Sequence, residues 1–185
     1  MRKLIYSMSV TLDGCIAGRA GEIDWSGPDL ELHQFHNDRV RDLGVHLLGR
    51  RLYETMTYWD TADQDPSLGP VELAFARIWQ ALPKVVFSNT LKEVTGNARL
   101  AEAGVGEEVA RLKQQQDRDL AVGGATLAAD CARLGLIDEY QVFVSPVILG
   151  GGTPYLPPLK ERIELELRET RTFASRNFYL RYGRV

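Results

Sequence analysis

Two glycine-bearing turns carry the residues most able to hold a charged ligand. In Ala121-Val122-Gly123-Gly124-Ala125-Thr126-Leu127 an apolar strand pattern runs into paired glycines and then directly into an amphipathic helical pattern. Glycine lets backbone N–H groups approach an anion with no Cβ in the way, and a helix start adds unpaired donors and the positive end of its dipole. Upstream, Leu47-Leu48-Gly49-Arg50-Arg51-Leu52-Tyr53-Glu54 joins a glycine to two fixed positive charges. Two such turns can hold one dinucleotide. Each also has a plainer reading: Gly-Gly serves a tight turn, and Arg50 or Arg51 can pair with Glu54 on a solvated helix face.

Other candidates are scattered. Asp13, followed by Gly14, is either turn chemistry or a contact to a bound molecule, and Asp29 is either a helix N-cap or an acid that relays a proton through water. His33 and His36 have the spacing of metal ligands, but no second cluster of His, Cys or carboxylate completes a site, so no metal is expected. There is no His-x-Glu with Pro-Cys-x-x-Cys, no Gly-x-Ser-x-Gly and no P-loop, which argues against a zinc deaminase, a hydrolase elbow and a nucleotide kinase. Trp25, Tyr58 and Trp59 either cover a flat ring or pack. Gly150-Gly151-Gly152 precedes Thr153-Pro154, which starts no helix, and reads as a bent strand exit. Cys15 and Cys131 lie far apart without a CxxC and read as reduced packing residues.

The elements that must position these groups follow from periodicity. Alternation predicts strands over Lys3 to Val10, His46 to Leu48, Val85 to Phe87, Ala98 to Leu100 and Leu120 to Val122, and a long one over Tyr140 to Leu149. Helical spacing predicts helices over Asp29 to Leu43, from Arg51 to Met56, over Val71 to Leu82, over Glu107 to Gln116 and over Ala125 to Leu134, the last capped by Gly135. Tyr58 to Pro70 reads as a loop. Glu164 to Phe173 and Phe178 to Tyr182 form a hairpin about Ser175-Arg176-Asn177. Alternating strands and helices followed by paired strands predict a mostly parallel sheet with helices on both faces and an antiparallel edge.

Composition narrows the partners. The chain has 185 residues, 44% of them hydrophobic, enough for one domain with a continuous core. A net charge of −3 with both signs interspersed gives no basic stripe for nucleic acid and no polybasic run for a membrane. No apolar run is long enough to span a bilayer, and Met1-Arg2-Lys3 leads into a strand without a signal-peptide core, so a cytoplasmic protein with a small-molecule partner is expected. The apolar C-terminal hairpin needs a cover on one face, which favours a homodimer.

In order and spacing, Thr11-Leu12-Asp13-Gly14, Leu48 to Glu54, Val86 to Asn89, Val122 to Leu127 and Ser145 to Gly152 resemble the dihydrofolate reductase superfamily. Leu136-Ile137-Asp138-Glu139 and the glycine-rich end of the following strand are similar to the branch containing the reductase domain of bacterial riboflavin biosynthesis. The resemblance spans nearly the whole chain and implies a three-layer α/β/α fold with NADPH across the carboxyl ends of the central strands. It implies that Gly49, Arg50, Arg51 and Leu52 hold the adenosine-side phosphates, with Phe87, Ser88 and Asn89 beside them. Val122, Gly123, Gly124, Ala125, Thr126 and Leu127 then match the pyrophosphate turn, and Ser9, Val10 and Ile16 enclose the nicotinamide. Asp29 is the nearest match to the acid that grips a pterin, although it lies several residues farther from Gly49 than that pattern has it. Ala125 replaces a third glycine, which is tolerable only at negative φ. Arg19 or Arg39 would meet an anionic substrate tail. The implied activity is hydride transfer from NADPH to a pterin-like or aminopyrimidine-like molecule, with Asp13 and Asp29 as the acid candidates; the alternative is a non-catalytic dinucleotide-binding or sensing protein of the same fold.

Overall fold

A computed structural model describes residues 2–115 and 117–185. Met1, and Gln116 at the expected end of the charged helix, lie outside the described residues. Ten strands are β1 (Leu4–Thr11), β2 (Cys15–Ala17), β3 (Val45–Gly49), β4 (Lys84–Phe87), β5 (Ala98–Leu100), β6 (Leu120–Gly123), β7 (Glu139–Ser145), β8 (Thr153–Pro154), β9 (Leu165–Thr172) and β10 (Phe178–Arg184). Five helices are α1 (Leu30–Arg41), α2 (Arg50–Met56), α3 (Pro70–Ala81), α4 (Val105–Gln115) and α5 (Ala125–Arg133). Eight strands form one sheet in the order β5-β4-β3-β6-β1-β7-β10-β9. Pairings from β5 to β7 are parallel, and β10 runs antiparallel to both β7 and β9.

Because strand side chains alternate between faces, each strand feeds two layers. Leu4 and Tyr6 of β1 and Leu120 and Val122 of β6 pack with Val109 and Leu112 of α4 and Leu127, Ala128 and Cys131 of α5. On the opposite face Leu48 and Val86 pack with Tyr53 of α2 and with Phe75 and Trp79 of α3. Leu32 of α1 covers Phe143, Phe173 and Tyr179 farther along. The expected three layers, parallel sheet and C-terminal hairpin are all present.

Under α1, however, the sheet does not fill the gap. Ile5 lies beside Ala121 and Glu139, Ser7 beside Gln141, and Ser9 beside Phe143. Apart from Ile5 and Phe143 these are short or polar side chains, and this floor and the helix form part of the lining of an open cavity of about 1590 Å³.

Two readings are corrected. The expected strand to Leu149 stops at Ser145, because Pro146 has no N–H to give a ladder. The chain then turns through Gly150, Gly151 and Gly152 at φ of 73°, 132° and 155° and returns as β8, which pairs with β2. A Cβ on Gly152 would stand 2.1 Å from the Ala17 carbonyl oxygen, so this close approach needs glycine. Strands of three and two residues are too short for a period-2 signal. Likewise the loop from Tyr58 contains single 3-10 turns over Thr57–Asp60 and Ala62–Gln64, too brief for helical spacing to show.

Candidate active site

At the carboxyl end of β6 the backbone turns at Gly124, whose φ of 95° is in the region that favours glycine. Gly124 is the N-cap of α5 and brings no side-chain cap; Ala128 N–H is the donor that closes back on the Gly124 carbonyl at 3.0 Å. The N–H groups of Ala125, Thr126 and Leu127 precede that first closure and are the orphan donors of the helix. Gly123 is needed for a different reason: a Cβ there would sit 2.4 Å from Leu52 Cδ2 and 3.1 Å from His46 Nε2. Ala125 is not at positive φ, since Arg176 is the one non-glycine residue there among the described residues, so the missing third glycine costs nothing.

The Gly49 turn abuts this one. The Cβ position of Gly124 lies 3.8 Å from Gly49 N, and Gly49, Arg50, Arg51 and Leu52 all border the cavity together with Gly124, Ala125, Thr126 and Leu127. Arg50 is exposed and reaches Glu54 at 3.2 Å, the plainer reading for that residue, whereas Arg51 makes no ion pair among the described residues. Phe87, Ser88 and Asn89 form the next stretch of wall. Ser88 Oγ accepts from Thr90 N–H at 3.1 Å and Leu91 N–H at 3.0 Å, and it shares a further hydrogen bond with Thr90 Oγ1 at 3.3 Å. Val122 and Gly123 lie behind the surface and support it.

On the α1 side Ser9 and Ile16 line the cavity, while Val10 is buried behind it. The two carboxylates are elsewhere. Asp29 caps α1, accepting from Leu32 N–H at 2.8 Å, and Asp13 accepts from Thr11 Oγ1 at 2.6 Å, Gly150 N–H at 2.9 Å and Leu149 N–H at 3.2 Å. Those bonds, led by the one from Thr11, hold the Asp13 carboxyl below the ordinary carboxylate range. Neither carboxylate is among the residues lining the cavity, and Asp13 ties the β1–β2 turn to the glycine-rich loop. Trp59 is on the wall, but Trp25 and Tyr58 are not. Arg39 borders the cavity, whereas Arg19 donates to the Gly150 carbonyl at 3.0 Å.

Residues 2–179 match the family model of the RibD C-terminal domain. The chain belongs to that family. It is similar, at 34% identity over 177 residues, to the uncharacterized protein YyaP of Bacillus subtilis, covering 94% of this chain and 90% of the relative. In fold it resembles the crystal structure of a putative riboflavin biosynthesis protein from Shewanella sp. PV-4, with a TM-score of 0.78, 20% identity and 99% of each chain covered. Dihydrofolate reductase from Enterococcus faecalis, solved with NADP(H), aligns with a TM-score of 0.65 and 14% identity over 98% of this chain and 96% of that one. This RibD-type domain therefore has the dihydrofolate-reductase-like architecture. No helix among the described residues is long and apolar enough to cross a membrane.

Several wall residues of the RibD-type domain have weak sequence signals. Ala101, Ala103, Gly104 and Val105 border the cavity, and a run of small residues ahead of a helix is their one cue. Ser7, Gln141 and Phe143 enter through strand register, which fixes which face they take. His33 and His36 enter through the packing of α1, and burial pushes the His36 imidazole down to about 4 and the His33 imidazole below its usual value.

Proposed function

We propose that this domain is an NADPH-dependent reductase that passes a hydride to a small flat heterocycle of pterin or aminopyrimidine dimensions. The observation that carries the reading is the uncapped start of α5 at Gly124, set against the Gly49 turn on one wall of a single cavity. An open helix start bounded by a glycine at positive φ fits a pyrophosphate. Arg50, Arg51 and Ser88 would hold the ribose 2′-phosphate, because a guanidinium offers paired donors and a fixed charge. Ser9 and Ile16 would border the nicotinamide, and β2 with β8 would exclude water above it. When bound, the dihydronicotinamide supplies the hydride. The cavity exceeds the roughly 300–1,000 Å³ of a site for one drug-sized ligand and leaves room for a second molecule. A cytoplasmic location accords with this activity.

Titration with NADPH and NADH, followed by nucleotide fluorescence, tests the reading. NADPH is expected to saturate the protein and NADH to bind at least about tenfold more weakly. Arg51→Ala should weaken NADPH by about tenfold and leave NADH unchanged, since one charge-assisted contact to phosphate is lost. Absence of NADPH binding by the wild type would remove the reductase reading.

For the assembly the proposal is a homodimer. Leu165 and Leu167 of the edge strand β9 are 39% and 50% exposed, and a second copy would cover them. Light scattering should give twice the monomer mass, reverting to the monomer in a Leu165→Lys, Leu167→Lys double variant.

A further inference from the structure

Reduction of a ring needs a proton as well as a hydride, and neither Asp13 nor Asp29 lines the cavity to give one. Glu139, the buried carboxylate on its floor, is taken by Lys3 at 3.0 Å and by Gln141 Nε2 at 2.8 Å. Asp38, Asp119 and Asp130 are claimed by Arg41, the Lys3 N–H and Arg133, and Asp42 is exposed at the far end of α1. An unclaimed acid lies in the contact between α1 and α3. Asn37 of α1 donates to the Val71 carbonyl of α3 at 2.9 Å, and the His33 ring stands 5.7 Å from that of Phe75, so the two helices run antiparallel. Glu72, next to Val71 and one turn before Phe75, therefore faces His33. Its Oε2 is buried with no hydrogen-bond partner among the described residues, and so is Asn37 Oδ1. Buried acceptors nearly always have a donor. With the Asn37 amide given to Val71, the side chain of this contact that can bring a further proton is the His33 imidazole.

His33 joins this contact to the ligand space. It is 8% exposed and lines the cavity, whereas Glu72 does not. Trp59, at a ring distance of 6.1 Å, closes its other side, and Asp60 beside that tryptophan is turned to Trp79 Nε1 at 2.9 Å. The remaining titratable neighbour is His36, one turn along α1, whose imidazole stands over Phe143 at 4.1 Å and is held neutral by burial. Burial lowers the His33 imidazole too, while Glu72 opposes it by favouring the charged form. An imidazolium whose pKa lies below the usual value gives up its proton more readily, and the carboxylate behind it gives that proton a partner while it waits.

We propose that His33 is the proton donor of the reduction and that Glu72 is the positioning residue that keeps the proton on it. The inference rests on the reductase reading above and supplies its acid. As the carbon of a ring C=N bond takes up hydride with its two electrons, the π pair moves to the nitrogen. His33 gives that nitrogen a proton: the imidazolium N–H breaks, the product N–H forms, and neutral imidazole remains. Solvent in the cavity reprotonates it. The test follows NADPH oxidation with 7,8-dihydropterin and with 7,8-dihydrofolate across pH, alongside NMR titration of the His33 ring. In the wild type kcat should fall as pH rises past the His33 midpoint, which lies below the usual 6.5. His33→Phe should lower kcat at pH 7 by about a hundredfold or more, the usual share of a general acid, with NADPH affinity unchanged. Glu72→Gln, of the same shape, should move both the kcat profile and the His33 titration to lower pH, so that kcat lost at pH 7 returns on acidification. A purely structural Glu72 would shift neither. No oxidation of NADPH with either probe would remove the reductase reading, and this inference with it, whatever the titration shows. In a protein that reduces a probe, kcat unchanged in His33→Phe, or a His33 midpoint unmoved in Glu72→Gln, would overturn the inference alone.

Discussion

Gly124→Val should weaken NADPH binding by at least about a hundredfold, the largest effect expected of any single substitution at the site. Gly124 sits at φ 95° and ψ 128°, where a β-branched residue is an outlier and strain costs on the order of 1–3 kcal/mol. Volume is not the obstacle, because the nearest heavy atoms to an added Cβ are 3.8 Å away. Relief of strain would therefore come from rotating the Gly123-Gly124 peptide, which turns the start of α5 away from the ligand. Two controls isolate this cause. Gly124→Ala keeps the open space and the adverse φ, so it should lose roughly tenfold. Gly49→Ala, at φ −73° with its nearest neighbour at 3.7 Å, should fold without strain, so a loss of NADPH affinity there would report a Cβ meeting the ligand and not a bent backbone. Fluorescence titrations and thermal melts on the three variants decide it: NADPH affinity unchanged in Gly124→Val would place the dinucleotide elsewhere.

That contrast also marks how much was legible beforehand. The Gly-Gly turn, the Gly49 turn and their helices are local patterns, in which a strand period gives way to a helical one within a few residues, and all were readable. Their meeting at 3.8 Å was not, because it depends on β3 and β6 being neighbours in the sheet. Asp13 and Asp29 show the opposite limit. Both carry chemistry by residue type and both lie beside a turn or a helix start, but backbone N–H groups claim each carboxylate, Leu149 and Gly150 for the first and Leu32 for the second. The claim on Asp13 comes from 136 and 137 residues away, beyond any local pattern. His36 carries no local signal of a wall position, because its spacing from His33 fits a metal pair equally, whereas its surroundings include the Phe143 ring of a neighbouring strand.

The second large effect is expected at Glu108, which never approaches the ligand. Its carboxylate is fully buried at the start of α4 and takes paired bonds from Arg99 at 2.9 and 3.0 Å, two more from Arg111 at 2.8 and 2.9 Å, and the Glu102 N–H at 3.0 Å. These bonds join edge strand β5 to α4 and fix the intervening loop, whose Ala101, Ala103 and Gly104 line the cavity. The Arg99 guanidinium above all, with the Glu102 N–H and Arg111, draws the carboxyl down from 4.5 to about 2. A folded-state value below the unfolded one gives stability that is present above about pH 4.5 and is lost as pH falls towards about 2. The arginines are themselves about a third exposed, so solvent screening reduces the contribution to about 1–2 kcal/mol. Glu108→Gln should lower the melting temperature at pH 7 by roughly 2–8 °C, at about 2–4 °C per kcal/mol for a chain of this length. The gap between wild type and variant should then close between pH 4.5 and 2, where the wild-type carboxylate takes up its proton. Melting curves that stay parallel across that range would show that the pairing adds no stability of its own. A closing gap, accompanied at pH 7 by a few-fold loss of NADPH affinity in the variant, would show that an ion cluster outside the cavity holds the cavity wall in its binding position.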